Sequence, residues 1–163
     1  MTPVRAPILA KLDALGITYG LYEHPPVFTA EEAETHWKEI PGRAVKNLFL
    51  RNKKGDRHYL VILGIEKQAD LRQLVKVIGD DRLSFGSPER LLKNLGVTPG
   101  SVSPLGLIHD TRHAVRVIVD SDLRGAAHLI FHPNDNTASL TISGGDFARF
   151  LEVQGNPVRW VQL

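Results

Sequence analysis

The chain contains no cysteine, which removes disulfides, thiolate nucleophiles and cysteine-ligated zinc ribbons from consideration. A cysteine-free chain suits the reducing cytosol, so a cytoplasmic location is expected. No basic region followed by an apolar run opens the sequence, and no secretion signal is expected. No apolar stretch reaches the roughly 20 residues that a membrane-crossing helix needs, so no membrane partner is expected either. Also missing are the Gly-x-Ser-x-Gly elbow, the Gly-x-x-x-x-Gly-Lys-Ser/Thr phosphate loop and the His-Glu-x-x-His metal motif. Serine-elbow hydrolysis and nucleotide triphosphate hydrolysis therefore have no support. Aromatic residues make up only 7% of the chain, and no single strand carries a stacking platform for single-stranded nucleic acid. There is no internal repeat, low-complexity tract or interdomain linker.

What is present is an ordinary globular composition: 163 residues, 42% hydrophobic and 23% charged. That length fits one domain, residues 1–163, with a real core. The most informative stretch is Arg43-Ala44-Val45-Lys46-Asn47-Leu48-Phe49-Leu50-Arg51. Its apolar residues fall on both alternating faces, the mark of a centrally buried strand. Lys46 shares a face with Leu48 and Leu50. It either snorkels out at the strand's end or presents a cation to an anionic ligand. The charge around it is uneven. From Lys38 to Arg57 seven basic residues stand against Glu39 and Asp56, a local +5 in a chain whose net charge is only +2. This is either a solvated hairpin tip or the footprint of an anionic partner.

Taken in order, helical spacing of Ile8, Leu9, Leu12 and Leu15 predicts a helix from near Pro7 to Gly16. Residues 17–23 read as a short strand. His24-Pro25-Pro26-Val27-Phe28 is a stiff extended connector, because two prolines exclude helix. Thr29 with Glu32 forms a capping box for a second helix whose inner face holds Ala33 and Trp37. The Lys46 strand pairs with Arg57–Leu63 as a hairpin through Lys54-Gly55-Asp56. Asp70 caps a helix bearing Leu71, Leu74, Val75 and Ile78. Leu83–Gly86 is a connector, and Ser87 with Pro88 opens a further helix to Gly96. Thr98 to Gly106 is a loop dense in Gly, Pro and Ser. Strands are expected at Ala114–Val119, His128–Phe131 and Ala138–Ile142. Ser143 and Asp146 cap a last helix with Phe147, Phe150 and Leu151, and Val158–Val161 closes the chain as a strand. Irregular interleaving with tight turns predicts an α/β domain of the α+β type, with a mixed, largely antiparallel sheet surrounded by helices.

Seven histidines invite a metal reading, and His109/His113 and His128/His132 are each four apart. Without a supporting carboxylate set, no metal is expected. The Gly100–Gly106 loop is either a plain surface connection or a set of main-chain N–H donors that approach a ligand closely. His132, just before Pro133, is either a capped strand end or a site histidine. Together these pieces suit a site with no nucleophile of its own, one that positions an activated ester for attack by water through charge stabilisation.

The same residues carry a resemblance. The segments His24-Pro25-Pro26-Val27-Phe28-Thr29, Val45-Lys46-Asn47-Leu48-Phe49-Leu50, Arg82-Leu83-Ser84-Phe85, Gly100-Ser101-Val102-Ser103-Pro104 and Phe131-His132-Pro133 with Asn136-Thr137 run in the order of the YbaK/prolyl-tRNA synthetase-associated editing domains. Within them the chain is most similar to free-standing bacterial members that deacylate alanyl-tRNA(Pro). The resemblance implies a curved, partly barrel-like mixed sheet and hydrolysis of a mischarged aminoacyl ester on tRNA, with no cofactor and no metal. It implies catalytic roles for Lys46, Gly100 and Ser101, and substrate contacts from Pro26, Phe28, Thr29, Asn47, Val102, Ser103, Pro104 and His132. The implied partners are the acceptor end of an aminoacyl-tRNA and, in passing, prolyl-tRNA synthetase, with the chain a monomer or weak homodimer. Leu105 stands where close relatives carry phenylalanine, which alters the detail of the pocket. A non-catalytic nucleic-acid binder, a deacylase of Cys- or Ser-type mischarged tRNA and a small-molecule ester hydrolase remain as other readings.

Overall fold

The computed structural model describes residues 4–27 and 30–163. In chain order the regular elements are α1 (Ala6–Ala14), β1 (Gly20–Glu23), α2 (Ala30–Trp37), β2 (Arg43–Arg51), β3 (His58–Gly64), α3 (Leu71–Ile78), β4 (Ser84–Phe85), α4 (Pro88–Leu95), β5 (Val115–Asp120), β6 (Leu129–Phe131), β7 (Ala138–Ile142), α5 (Gly144–Gln154) and β8 (Val158–Val161). Short 3-10 turns occupy Pro99–Ser101, Pro104–His109 and Ser121–Leu123.

The strands form one path, β1-β7-β6-β2-β3-β5-β8, with β4 added to β2. Four pairings are antiparallel and three parallel. The expected mixed, mainly antiparallel sheet is present. It is not closed, for no pairing joins β1 to β8 among the described residues.

β2 lies at the centre, as its two-faced apolar pattern requires. It is zipped to β3 over seven residue pairs, Val45↔Gly64 through Arg51↔His58. The Asn52 side chain fixes the hairpin turn, its Oδ1 accepting from the N–H groups of Gly55, Asp56 and Arg57. Alternation along β2 and β3 splits the core in two. Val45, Phe49, Leu60 and Ile62 enter a cluster with α1, α4 and α5, whereas Leu50, Tyr59, Val61 and Leu63 enter a second with Leu74 of α3. Each such side chain contributes roughly 1.5–3 kcal/mol when fully buried.

Helix ends follow the sequence signals. Asp70, Ser87 and Ser143 each accept a main-chain N–H as N-cap, and Gly79, Gly96 and Gly155 close their helices in the left-handed region. Leu83–Gly86 is not merely a connector: Ser84 and Phe85 pair with Arg51 and Leu50. The first strand starts at Gly20, because the chain leaves α1 through Gly16 at φ +68° and needs residues 17–19 to reach the sheet. The expected cap Thr29 lies outside the described residues.

One feature has no sequence signal. Arg5 is 2% exposed. Its guanidinium donates to both carboxylate oxygens of Asp135 at 2.8 and 3.1 Å, to Thr137 Oγ1 at 2.8 Å and to Glu23 at 2.9 Å. These bonds pin the start of α1 to the turn between β6 and β7.

Candidate active site

The site begins where β2 and β6 part. These parallel strands share only the pairs Arg43↔Leu129 and Ala44↔Ile130. Beyond them, Lys46 on β2 and His132 after β6 stand two residues further along each strand, at the mouth of the opening. Residues alternate across the sheet, so Lys46 follows Leu48 and Leu50 to one side, while Asn47 follows Val45 and Phe49 to the other.

The 98–104 loop reaches β2 through Asn47, whose Nδ2 donates to the Val102 carbonyl at 3.4 Å. A carbonyl can only accept, so this contact assigns the amide's orientation. It leaves Asn47 Oδ1 buried with no hydrogen-bond partner among the described residues. At the loop's other end, a Cβ on Gly100 would meet Asn136 Nδ2 at 4.0 Å. Asn136 in turn donates to the Val27 carbonyl at 2.9 Å. The Pro26–Val27 connector, the Gly100 turn and the Asn136 turn are thus neighbours.

Within the loop, the Ser101 N–H is committed to the Thr98 carbonyl. The Ser101 side chain is 5% exposed and that of Ser103 is 0% exposed. Ser103 Oγ accepts from Leu105 N, and Pro104 opens the next 3-10 turn. Any direct role of these serines therefore falls to the main chain. Among the described residues, the N–H groups of Gly100, Val102 and Ser103 carry no hydrogen bond, so they are the candidate donors. Leu105 is fully buried in the larger core cluster.

His132 is half-buried, and its Nδ1 lies 3.1 Å from the Ala138 carbonyl. Nδ1 therefore carries the proton and Nε2 presents a lone pair. Burial holds the His132 pKa below 6.5, helped by the positive potential of His24 and opposed by the Ala138 hydrogen bond and Asp135. The ring is neutral at physiological pH. Trp37 of α2 lies 6.1 Å from it, centroid to centroid. Trp37 Nε1 donates to Ser139 Oγ at 3.2 Å, and the Ser139 hydroxyl donates to His24 Nε2 at 2.9 Å. His36 stacks on His24 at 4.8 Å. The sequence reading misses this Trp37–Ser139–His24 chain. Its only trace in the sequence is the stiff His-Pro-Pro segment followed by an aromatic helix face.

Lys46 Nζ donates to the Lys67 carbonyl. Lys67 is itself clamped, its ammonium 2.5 Å from Asp120, 2.6 Å from Asp122 and 3.2 Å from the Leu163 carbonyl. The hydrogen bond to Asp120 is the largest cause of a Lys67 pKa raised above 10.5. Phe28 and Thr29 lie outside the described residues. No group of three His, Cys, Asp or Glu side chains able to hold a metal occurs among the described residues, and no helix there is long and apolar enough to cross a membrane.

Such a site sits in a small α/β domain with a mixed, mainly antiparallel sheet, beside a loop whose main-chain N–H groups at Gly100, Val102 and Ser103 are, among the described residues, free to donate. Residues 24–150 match the family model of the aminoacyl-tRNA editing domain, and the chain belongs to that family. It is 42% identical over 156 residues to the prolyl-tRNA editing protein ProX of Acetoanaerobium sticklandii, covering 96% of this chain and 95% of that one. It is 37% identical over 150 residues to prolyl-tRNA synthetase associated domain-containing protein 1 of Danio rerio, covering 90% and 81%. The fold matches a solved structure described as a candidate trans-editing enzyme for prolyl tRNA synthetase, with a TM-score of 0.74 at 23% identity over 100% of this chain and 99% of that one.

Proposed function

We propose that this chain is a trans-editing hydrolase that removes a small amino acid, alanine first, from mischarged tRNA(Pro). The observation that carries the reading is the meeting of distant segments beside the opening between β2 and β6: Asn47 of β2 touches the 100–104 loop, and that loop adjoins the Asn136 turn and the 24–27 connector.

In this reading the aminoacyl ester lies against the loop, and the N–H groups of Gly100, Val102 and Ser103 supply hydrogen bonds to its carbonyl oxygen as charge builds there. Asn47 Oδ1, an acceptor without a partner, receives the α-ammonium of the amino acid. Lys46 leaves the Lys67 carbonyl to meet the phosphate of the terminal adenosine. His132 Nε2 accepts from the ribose hydroxyl beside the ester. Water adds to the carbonyl carbon, the bond to the ribose oxygen breaks, and that oxygen takes a proton as it leaves. The protein contributes position and charge, not a covalent intermediate. A pocket for alanine discriminates by about 1–3 kcal/mol per methylene, so proline is rejected by shape rather than by chemistry. The whole chain, 1–163, acts as one editing domain. It works in the cytoplasm as a monomer or weak homodimer, with transient contact to prolyl-tRNA synthetase.

The test is a deacylation panel of Ala-tRNA(Pro), Cys-tRNA(Pro), Ser-tRNA(Pro) and Pro-tRNA(Pro). Faster loss of Ala-tRNA(Pro) than of Pro-tRNA(Pro), abolished by Lys46→Ala in a folded protein, is expected. If no mischarged species is hydrolysed faster than in buffer, the enzyme reading fails, and salt-dependent RNA binding without turnover would mark a binding protein instead.

A further inference from the structure

At the hairpin end of β2, away from the reacting end, two arginines converge. A Cβ on Gly55 would meet Arg90 Nη2 at 2.9 Å and Arg51 Nη2 at 3.3 Å, so the two cations stand no more than about 6 Å apart. Neither is neutralised. Arg51 is held by the carbonyls of Asn52 and Lys53, and Arg90 by the Gly55 carbonyl and His58 Nε2. Among the described residues no ion pair engages Arg51, Arg90, Lys93 or Arg112.

Beside them runs a cavity of about 810 Å³ between α4 and residues 109–114, with Arg90, Lys93, Arg112 and His58 in its walls. Its carboxylates are mostly occupied. Asp110 accepts from Ala114 N, Val115 N and Asn156, and Asp56 from Asn52 at 2.7 Å. Glu89 alone stands at the rim without a bond to another described residue. Burial and the positive charge of Arg90, Arg51 and Lys93 lower the His58 pKa, so its ring accepts from Arg90 and adds no cation. Like charges held this close by main-chain oxygens cost free energy unless an anion joins them.

The groove is coupled to the reacting end twice. Phe49, two residues from Asn47 on the same face of β2, stacks on His58 at 5.6 Å. The 98–104 loop is the chain segment linking α4 to the other wall, and a Cβ on Gly96 would meet the His109 ring at 2.9 Å. Along β2, Asn47 and Arg51 are about 13 Å apart at the usual strand rise.

We infer that this cleft grips the phosphodiester backbone of the RNA substrate, with Arg51, Arg90, Lys93 and Arg112 meeting phosphates that follow the bound 3′ end. The inference rests on the editing reading above and adds a second, non-reacting contact to it. Interactions with remote parts of a substrate of this kind set its binding and register.

The test uses the full chain with two substrates, Ala-tRNA(Pro) and 3′-alanyl-adenosine, which carries no phosphodiester and so cannot engage the cleft. Lys93→Glu with Arg112→Glu changes two side chains that stand outside the hydrogen bonds named above, and Arg90→Gln is the second variant. The expected result is a KM for Ala-tRNA(Pro) raised about tenfold or more, with a salt slope shallower by about one for each phosphate that is no longer neutralised. Turnover of the alanyl-adenosine stays unchanged. An unchanged KM and salt slope, or equal losses on both substrates, overturns the inference. Binding of uncharged tRNA, followed by fluorescence anisotropy, separates the two levels. If nothing is deacylated, the editing reading fails, while weaker tRNA binding by the variants still upholds the cleft and unchanged binding overturns it. Displacement of the RNA by millimolar inorganic phosphate at constant ionic strength would make this a small-anion site and overturn the RNA assignment.

Discussion

Replacing Asn47 by leucine, which is similar in branching but has no polar atoms, separates function from stability at one position. In the free protein Asn47 makes a long hydrogen bond of 3.4 Å to the Val102 carbonyl, while its Oδ1 is buried without a partner among the described residues. A neutral hydrogen bond contributes about 0.5–1.5 kcal/mol net, and one this long belongs at the bottom of that range. An unsatisfied buried acceptor costs about 1–3 kcal/mol. Removing both together should leave the fold unharmed or more stable, by up to about 2 kcal/mol. Catalysis moves the other way. A hydrogen bond to the substrate ammonium is charge-assisted, about 1.5–3 kcal/mol, so kcat/KM for Ala-tRNA(Pro) should fall by about one to two orders of magnitude. Urea unfolding with an unchanged m-value reads the first quantity, and steady-state deacylation the second. A midpoint lowered by the equivalent of about 1 kcal/mol or more, or a kcat/KM within about twofold of the parent, would refute the assignment of Asn47 Oδ1 to the substrate.

Arg5→Ala removes the bidentate guanidinium from Asp135 and leaves it the Thr137 hydrogen bonds, and breaking a buried pair costs about 3–5 kcal/mol. The Glu23 contact adds little because Glu23 is largely exposed. The urea midpoint checks this, and a loss under about 1 kcal/mol would contradict it. His132 and His58 both have folded pKa values below 6.5, so the unfolded chain binds more protons than the folded one. Their contribution to stability is complete above about pH 6.5 and is lost as pH falls through the folded pKa values. Unfolding of the parent and of His132→Gln between about pH 7.5 and 5 should show a shallower loss in the variant. Gly106→Ala places a Cβ 2.7 Å from the Leu95 carbonyl oxygen, a main-chain atom that cannot swing aside. Thermal unfolding should occur several degrees lower, with the Ser101 N–H, the hydrogen-bonded amide of the 98–104 loop, losing protection in amide exchange.

Local signals carried much of the architecture into view. The caps at Asp70, Ser87 and Ser143 and the β2–β3 hairpin rest on near neighbours in the chain, and the structure has them where the sequence places them. What escaped was non-local. Ser84–Phe85 is too short to show a period, and becomes a strand only because β2 offers it an edge. Arg5 reads as a surface charge until Asp135, 130 residues away, folds over it. The parallel pairings of β3 with β5 and of β5 with β8 depend on crossovers that leave no mark in either strand. At the site, the contact of Asn47 with the Val102 carbonyl joins residues 55 apart and leaves no mark in either segment. The concealment of the Ser101 and Ser103 side chains does not follow from a loop rich in small residues. The partnership of Trp37 with Ser139 and His24 needs three elements at once.

The seven-rung ladder between β2 and β3 makes the division of labour at positions 46 and 47 all-or-none. Sliding β2 by a single rung would invert every residue on it, turning the ammonium toward the loop and the carboxamide toward α3. No intermediate setting exists, so selection cannot retune these two neighbours by degrees. It can only exchange the side chains themselves, or shift the segments that meet them.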